Sequence, residues 1–205
     1  METSLARLGT DRLDIVHIHG FDQHIEAAFS GAHRALMRLK QEGVIGAIGG
    51  GCDSVGPLLH GLELDAFDAI LCAGRYTPLD AIAAQKLLPL AAAKGCEVFI
   101  AGLFNSGILA TGAVADARYD YGGASPAVLA RVRVLEALCQ RHAVALKAVA
   151  VQFPLRDPRV GTVLLGAANP GELRDSLAHL DASIAPEFWA DAARTIGDPL
   201  SAMPP

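Results

Sequence analysis

Five short apolar runs alternate with longer helical stretches along this chain, and that alternation limits the fold more than any other feature. Each run is apolar throughout, which is typical of strands buried on both faces of a parallel sheet. The pattern predicts a single α/β domain over 1–205, built from consecutive strand–helix units. The five predicted strands cover 13–19, 44–49, 67–72, 96–102 and 160–166.

Helices are predicted between and after these strands. Gly43 is placed to end the first helix, and Ser54 and Ser125 are placed as N-caps of two others. The Gly- and Asp-rich segment 111–125 is expected to be a functional loop, and the tail 201–205 is expected to be disordered. The predicted helices cover 24–42, 54–62, 80–94, 126–142, 147–156, 170–180 and a last stretch that begins at 186.

Composition and charge exclude several classes of protein. With 52% hydrophobic and 19% charged residues, the chain has too much apolar surface to remain disordered. Its net charge of −5 and the lack of basic runs argue against binding to nucleic acid. No apolar run is long enough to span a membrane, and METSLARLGTDR is not a secretory signal. The four cysteines form no CxxC pair, so we expect buried thiols and a cytoplasmic protein.

Two architectures fit the alternation of strands and helices. One is an open doubly wound sheet, and the other is part of a (β/α)8 TIM barrel. The open sheet is disfavoured because no strand is followed by GxGxxG or GxxxxGK[ST]. The run GAIGGGCD is rich in glycine, but it lacks the spacing of those phosphate-binding motifs.

Two histidines on the first predicted strand are the leading candidates for chemistry. His17 and His19 are two residues apart and therefore face the same side of the sheet, and His19 stands at the carboxyl end, which is the catalytic end of a parallel barrel. Three interpretations stay open: a hydrogen-bonded structural pair, a catalytic His19, and an HxH metal site of a metallohydrolase. No metal ligands are assigned, because the later strand ends offer few further donors; they carry Gly49, Cys72, Ala101 and Gly166.

Two other strand ends are suited to anions. AGLFNSG (101–107) offers successive backbone N–H groups and the hydroxyl of Ser106. GAANPGEL (166–173) leads from a strand into a helix, whose first N–H groups attract an anion. A tight turn and an ordinary helix start explain the two segments equally well.

Four segments together resemble the aldo/keto reductase family. They are SLARLGTDRLDIVHIHG, ALMRLKQEGVIGAIGGG, LLPLAAAKGCEVFIAGLFNSGILATG and VGTVLLGAANPGELRDSL, in the family's order over nearly the whole chain. RYTPLD, FNSGILA, YDY and VQFPL are most similar to a branch of dehydrogenases that act on aldoses or on pyridoxal. The resemblance implies a TIM barrel and an NAD(P)-dependent oxidoreductase, which would oxidise an aldose at C1 to a lactone or act on an aldehyde.

The resemblance also implies roles for individual residues. His19 would orient and polarise the reacting oxygen, and Ser106 would donate its hydroxyl to the pyrophosphate of the cofactor. Where many members of the family have a Tyr and a Gln beside the nicotinamide, this chain has Ala101 and Ala73. The residues that the resemblance assigns to cofactor binding are Gly51, Cys52, Gly102, Leu103, Phe104, Asn105, Ser106, Gly107, Gly166, Ala167, Glu172, Asp175 and Ser176.

Glu172 favours NAD over NADP as the cofactor. A carboxylate repels the 2′-phosphate of NADP, whereas it accepts a hydrogen bond from the free ribose hydroxyl of NAD. The other interpretation of Glu172 is a solvated acid in the first turn of a helix.

The resemblance covers strands four to eight of the barrel, so the fold is expected to be partial. The family's catalytic Asp, Tyr and Lys precede the histidine-bearing strand and match no residue of this sequence, and Tyr76, Tyr119 and Tyr121 are not substitutes by position. We therefore expect little or no activity from the 205-residue chain alone. The alternative is a non-catalytic barrel fragment or assembly partner, which would self-associate through unpaired strand edges.

Overall fold

The computed structural model describes residues 1–196, and the predicted tail 201–205 lies outside the described residues. Its centre is a five-stranded parallel sheet, in which the strands are neighbours in the order of the sequence. That order has no switch point of the kind found in doubly wound sheets. The strands are β1 (Leu13–His19), β2 (Ile45–Cys52), β3 (Ala69–Ala73), β4 (Glu97–Ala101) and β7 (Thr162–Val163), and an antiparallel hairpin comprises β5 (Arg118–Tyr119) and β6 (Gly122–Gly123).

All five predicted strands are present, with different lengths. The predicted second strand ended at residue 49, but β2 continues to Cys52 because its last residues pair with β3. The predicted fifth strand is reduced to the two residues of β7, which pair with Phe99 and Ile100 of β4. The α/β class and the parallel sheet are therefore confirmed, whereas the partial TIM barrel stays a prediction.

The helices follow the predicted alternation. A π-helical segment, Ala28–His33, joins two of them into the predicted stretch 24–42, and Gly43 follows with φ of 76°, which suits the residue after a helix end. None of the helices within residues 1–196 is both long and apolar enough to cross a membrane. The helices are α1 (Glu2–Leu8), α2 (Ile25–Ala27), α3 (Arg34–Gln41), α4 (Val55–Glu63), α5 (Leu87–Ala93), α6 (Ile108–Thr111), α7 (Pro126–Arg141), α8 (Leu146–Gln152), α9 (Pro170–Leu180) and α10 (Pro186–Ile196).

The predicted helix 80–94 is wrong over its first half. A short 3-10 turn occupies Ile82–Ala84, and the Asp80 carboxylate accepts the N–H of Ile82 at 3.0 Å. Helix α5 begins only at Leu87, so Pro89 lies in the first turn, where its missing N–H has no intrahelical partner to lose.

The two N-cap predictions had different outcomes. Ser125 caps α7 as predicted, because its Oγ accepts the N–H of Val128 at 3.3 Å. Ser54 does precede α4, but its Oγ makes no capping bond and instead donates to Asp22 and Asp53, both at 3.4 Å. The sequence therefore identified the position of this helix start but not the contacts of its first side chain.

The two faces of the sheet differ in burial. On one face, which we call the helix-covered face, Ile48, Ile70 and Ile100 are at most 1% exposed. Phe67 packs on this face against the backbone at Gly50, where an added Cβ would approach its ring to 2.5 Å. The other face, which we call the open face, is only half-buried within residues 1–196. The predicted burial of both faces thus holds for the helix-covered face alone.

Candidate functional site

Three adjoining cavities form a groove along the carboxyl ends of the parallel strands, which we call the site groove. The first cavity, of about 560 Å³, lies between the turn 101–107 and the segment 164–166. The middle cavity, of about 230 Å³, shares Ser106 with the first and Tyr121 with the third. The third cavity, of about 180 Å³, contains His19. A ligand that fills the groove would extend across the sheet from β7 to β1.

One end of the groove, the turn 101–107, is built from backbone in unusual conformations. Gly102, Asn105, Ser106 and Gly107 all have φ between 44° and 103°, in the left-handed region. Glycine is required at position 102 for two reasons. Its φ of 65° disfavours a side chain, and an added Cβ would lie 2.9 Å from the backbone nitrogen of Gly74. We call this part of the groove the turn end.

The turn end offers hydrogen-bond donors to a ligand. The backbone N–H groups of Leu103, Phe104 and Ser106 have no backbone acceptor in the described part of the chain. The Oγ of Ser106 accepts the N–H of Tyr121 at 2.9 Å, which leaves the hydroxyl proton of Ser106 free to donate. Such a set of donors is suited to the oxygens of a phosphate.

Asn105 holds this turn in place from below. It is 6% exposed, its Oδ1 accepts the hydroxyl of Thr77 at 2.6 Å, and its Nδ2 donates to the carbonyl of Gly74 at 3.1 Å. The loop after β3 is thereby fixed to the turn after β4. Thr77 was missed by sequence reasoning, because nothing local to position 77 shows that it lies beside the turn.

Among the predicted cofactor-binding residues after β7, one lines the groove, and the role of this segment in cofactor binding stays a prediction. Gly166 lines the first cavity, whereas Ala167, Glu172, Asp175 and Ser176 do not line the three cavities. Both carboxylate oxygens of Glu172 serve the start of α9, accepting from the N–H of Ala168 and the side-chain amide of Asn169, each at 2.8 Å. This arrangement is a variant of the capping box, in which Asn169 in turn accepts the N–H of Glu172 at 3.0 Å and Glu172 bonds Ala168 and the Asn169 side chain.

The two remaining residues of that segment are held by their own contacts. Asp175 forms an ion pair with Lys147 and lies 3.6 Å from His179 on the same helix. Bonding to Lys147 lowers the pKa of Asp175. Ser176 is 3% exposed, so its hydroxyl is turned away from solvent.

The other end of the groove surrounds His19, and we call it the histidine end. His19 is exposed at the end of β1 and pairs in register with Gly51 of β2. An added Cβ at Gly51 would lie 3.7 Å from the His19 ring, so the imidazole rests over a residue without a side chain. The cavity at this end is also lined by Asp22, Cys52 and Asp53.

His17 lies deeper on the same open face, as the spacing predicted. Its ring covers Gly49, where an added Cβ would come within 2.2 Å of Nδ1, and it meets Phe99 edge-to-face with centroids 5.9 Å apart. Burial lowers the pKa of His17, and the nearby charge of His19 lowers it further. Its Nδ1 has no hydrogen-bond partner among residues 1–196, so the two histidines do not form a hydrogen-bonded pair.

The histidine end has no set of metal ligands. Within residues 1–196, no group of three or more histidine, cysteine, aspartate or glutamate side chains lies close enough to hold a metal ion. The HxH interpretation therefore finds no further ligands in that part of the chain.

Carboxylates were missed at the histidine end by sequence reasoning. A hydrogen bond from Cys52 is the main cause that lowers the pKa of Asp22, and burial together with that bond raises the pKa of Cys52 to about 12. At neutral pH Asp22 is therefore a carboxylate and Cys52 a protonated thiol. Asp22 and Asp53 follow different strands, and only the folded sheet brings them together beside Ser54.

Arg75 connects the loops around the groove. Its Nε donates to the carbonyl of Asp53 at 2.6 Å, and its terminal nitrogens bind Asp80 at 3.3 Å and Asp120 at 2.8 Å. Although burial acts to lower it, these carboxylates raise the pKa of Arg75. The guanidinium thus fastens the β5–β6 hairpin, and with it Tyr121, over the middle of the groove.

A comparison with known protein families agrees with the fold. The model of the aldo/keto reductase family matches residues 1–195. The chain belongs to the aldo/keto reductase family. It is 34% identical over 198 residues to the pyridoxal 4-dehydrogenase of Microbacterium luteolum, covering 92% of this chain and 58% of that protein.

A second relative and a solved structure extend the comparison. The chain is 35% identical over 192 residues to the D-threo-aldose 1-dehydrogenase of a Pseudomonas species, covering 93% of this chain and 58% of that enzyme. The holo form of an aldo-keto reductase from Bacillus halodurans superposes with a TM-score of 0.75 at 22% identity, over 97% of this chain and 65% of that one. This aldo/keto reductase chain therefore spans about 58% of the length of the two curated relatives.

Proposed function

We propose that this chain contributes the histidine and the cofactor groove of an NAD-dependent oxidoreductase that oxidises an aldose at C1 to a lactone. The observation on which this rests is the continuity of the site groove, from Gly166 past Ser106 to His19. A dinucleotide is long enough to need such a groove, and its pyrophosphate would suit the donors of the turn end. The relative named D-threo-aldose 1-dehydrogenase supports the choice of substrate.

The residues at the turn end fit a dinucleotide. The unpaired N–H groups of Leu103, Phe104 and Ser106 would bind the pyrophosphate, and the hydroxyl of Ser106 would donate to the same oxygens. Gly102 and Gly107 keep side chains out of the approach. NAD, when bound, would supply the hydride acceptor for the oxidation.

His19 would act on the substrate oxygen. Its exposed ring is at the carboxyl end of β1, where reacting groups lie in parallel barrels. The imidazole would donate a hydrogen bond to the oxygen on C1 and hold it toward the cofactor. The proton of the oxidised hydroxyl needs an acceptor, and the resemblance assigns the family's Asp, Tyr and Lys to no residue of this sequence.

We propose NAD as the preferred cofactor because of Glu172. Its carboxylate lies at the first turn of α9 and would repel a 2′-phosphate near that helix start. The capping box fixes both of its oxygens there, so the negative charge is held in place.

The test is a calorimetric titration of the 205-residue chain with NAD⁺ and with NADP⁺. We expect NAD⁺ to bind more tightly than NADP⁺, and we expect little NADH to form when L-fucose is added to this chain alone. Absence of binding by either nucleotide would overturn the proposed function. Tighter binding of NADP⁺ would overturn the cofactor preference.

A second candidate is an assembly component, and the open face favours it. His17, Leu71 and Phe99 are only half-buried there, and β1 and β7 are the terminal strands of the sheet among the described residues. We propose that a second copy of the chain covers this face. Sedimentation velocity over a range of concentrations tests it, and a monomer at every concentration would contradict it.

We also propose a cytoplasmic location. The four cysteines are free and buried, which is typical of a reducing compartment. Cell fractionation followed by immunoblotting tests this location. Recovery of the protein in a membrane or secreted fraction would contradict it.

A further inference from the structure

Tyr121 presents an aromatic ring to the site groove without burying it. Its side chain is 70% exposed, although it lines both the middle cavity and the cavity of His19. A large exposed aromatic ring gains free energy when a ligand covers it. The position of the ring, between the turn end and the histidine end, is where a substrate would meet the cofactor.

The backbone that carries this ring is held firmly. Tyr121 has φ of 65° and Asp120 has φ of 52°, a conformation that is uncommon for residues other than glycine. The N–H of Tyr121 donates to Ser106 at 2.9 Å, and its carbonyl accepts from Arg118 at 2.7 Å. Positive φ at both central residues is the type I′ turn of a tight hairpin, so the turn between β5 and β6 requires this conformation. The exposure of the ring is thus imposed by the fold.

The chemistry of the cavity indicates which ligand would cover the ring. The carboxylates of Asp22 and Asp53 line the same cavity as His19, and ionised carboxylates only accept hydrogen bonds. Asp22 is only partly buried, and its Oδ2 accepts one long hydrogen bond from Ser54 at 3.4 Å, so the carboxylate has accepting capacity left for a ligand. A ligand with hydroxyl donors and an apolar C–H face satisfies both walls, whereas a phosphorylated ligand is repelled.

We propose that Tyr121 determines substrate specificity, packing its ring against the C–H face of an uncharged polyhydroxylated substrate while Asp22 accepts one of the hydroxyls. This inference rests on the proposed function, because it takes His19 as the reacting end of the groove. It adds to the proposed aldose substrate the residues that would recognise it, which the sequence positions of Tyr121 and Asp22 did not suggest.

The experiment compares sugar binding by the 205-residue chain in the presence of saturating NAD⁺. The probes are D-ribose and D-ribose 5-phosphate, and saturation-transfer NMR measures the binding of each. We expect D-ribose to bind and its phosphate ester to bind far more weakly. Tyr121→Ala should weaken D-ribose binding about tenfold, and Tyr121→Phe should weaken it much less, because it keeps the ring.

Two controls separate the possible failures. Val114→Ala removes another exposed apolar side chain from the same loop and should leave sugar binding unchanged. The thermal midpoint of Tyr121→Ala should match the wild type, because the ring is mostly exposed. Unchanged D-ribose binding by Tyr121→Ala, equal losses by the Ala and Phe variants, or tighter binding of the phosphate ester would each overturn the inference.

A separate titration with NAD⁺ distinguishes this failure from failure of the proposed function. If NAD⁺ binds and D-ribose does not, the substrate class is wrong while the cofactor groove stands. If NAD⁺ does not bind at all, the proposed function fails, and the inference about Tyr121 fails with it.

Discussion

The turn end and the histidine end of the site groove differ in the charge that they favour in a ligand, and they are built from different groups of the chain. The turn end uses backbone N–H groups and a hydroxyl, which favour an anion. The histidine end uses the carboxylates of Asp22 and Asp53 beside His19, which disfavour one. The turn end therefore favours an anionic group of a ligand, and the histidine end favours a neutral or cationic one. If the proposed function holds, this contrast would orient NAD⁺ in the groove, with its pyrophosphate at the turn end.

The largest expected effect is at the turn end, for Gly102→Val. The new side chain must adopt φ of 65° and would clash with the backbone at Gly74. Strain of this kind costs about 1–3 kcal/mol, so the thermal midpoint should fall and NAD⁺ affinity should fall at least tenfold. Calorimetry measures both. Gly56→Ala is the matched control, since nothing lies within 4 Å of its added Cβ, and normal NAD⁺ binding by Gly102→Val would contradict the prediction.

The next effect is expected for Asn105→Ala, which removes the support of the turn. It leaves the Thr77 hydroxyl and the Gly74 carbonyl without their partner, which costs about 1–3 kcal/mol of unfolding free energy. Urea unfolding measures the loss, and NAD⁺ affinity should fall several-fold. Gln152→Ala is the control, because the Gln152 amide also makes two hydrogen bonds, here to two backbone carbonyls away from the groove. An equal loss of NAD⁺ affinity in both variants would show that the turn end is not specifically supported.

At the histidine end, the stability of the fold is expected to depend on pH through Asp22. Because the Cys52 bond lowers the pKa of Asp22, this carboxylate stabilises the fold above its ordinary pKa, and that contribution is lost as the pH falls through the depressed value. Cys52→Ala should raise the pKa of Asp22, measured by NMR of its carboxyl carbon. The turn end, built from backbone groups, should show no such titration. Cys139→Ala is the control, and an unchanged Asp22 pKa in Cys52→Ala would refute the assignment.

The smallest effect is expected for Asp120→Asn, which weakens the attachment of the hairpin between the two ends. The ion pair with Arg75 is partly exposed, so its loss should cost no more than about 1 kcal/mol. Sugar binding should nevertheless weaken, since Tyr121 is freed. Asp65→Asn removes a comparable exposed pair with Lys94 and serves as the control. A drop in sugar affinity for both variants would remove the link to the hairpin.

The sequence predicted the two ends of the groove unequally, for a physical reason. The turn end is encoded in seven consecutive residues, 101–107, whose glycines and serine reveal it directly. The alternation of apolar runs likewise predicted the parallel sheet.

The histidine end depends on loops after separate strands. Asp22 and Asp53 became neighbours only through strand pairing, and Arg75 reaches Asp120 across 45 positions of sequence. Helix 80–94 was overestimated because the pattern of apolar residues does not show the bond by which Asp80 forms a tighter turn.

The run Gly49–Gly51 lies between rings on both faces of the sheet, which its composition alone did not indicate. Each of the three glycines receives a ring: Gly49 and Gly51 lie under His17 and His19, and Gly50 lies under Phe67 on the opposite face. This run therefore separates the helix-covered face from the two histidines and has no side chain of its own to absorb a shift. A methyl group added at Gly49 or Gly50 would come within 2.5 Å of a ring, whereas at Gly51 it would make only van der Waals contact with His19, at 3.7 Å. We therefore expect Gly49 and Gly50 to tolerate substitution poorly, and Gly51 to accept alanine.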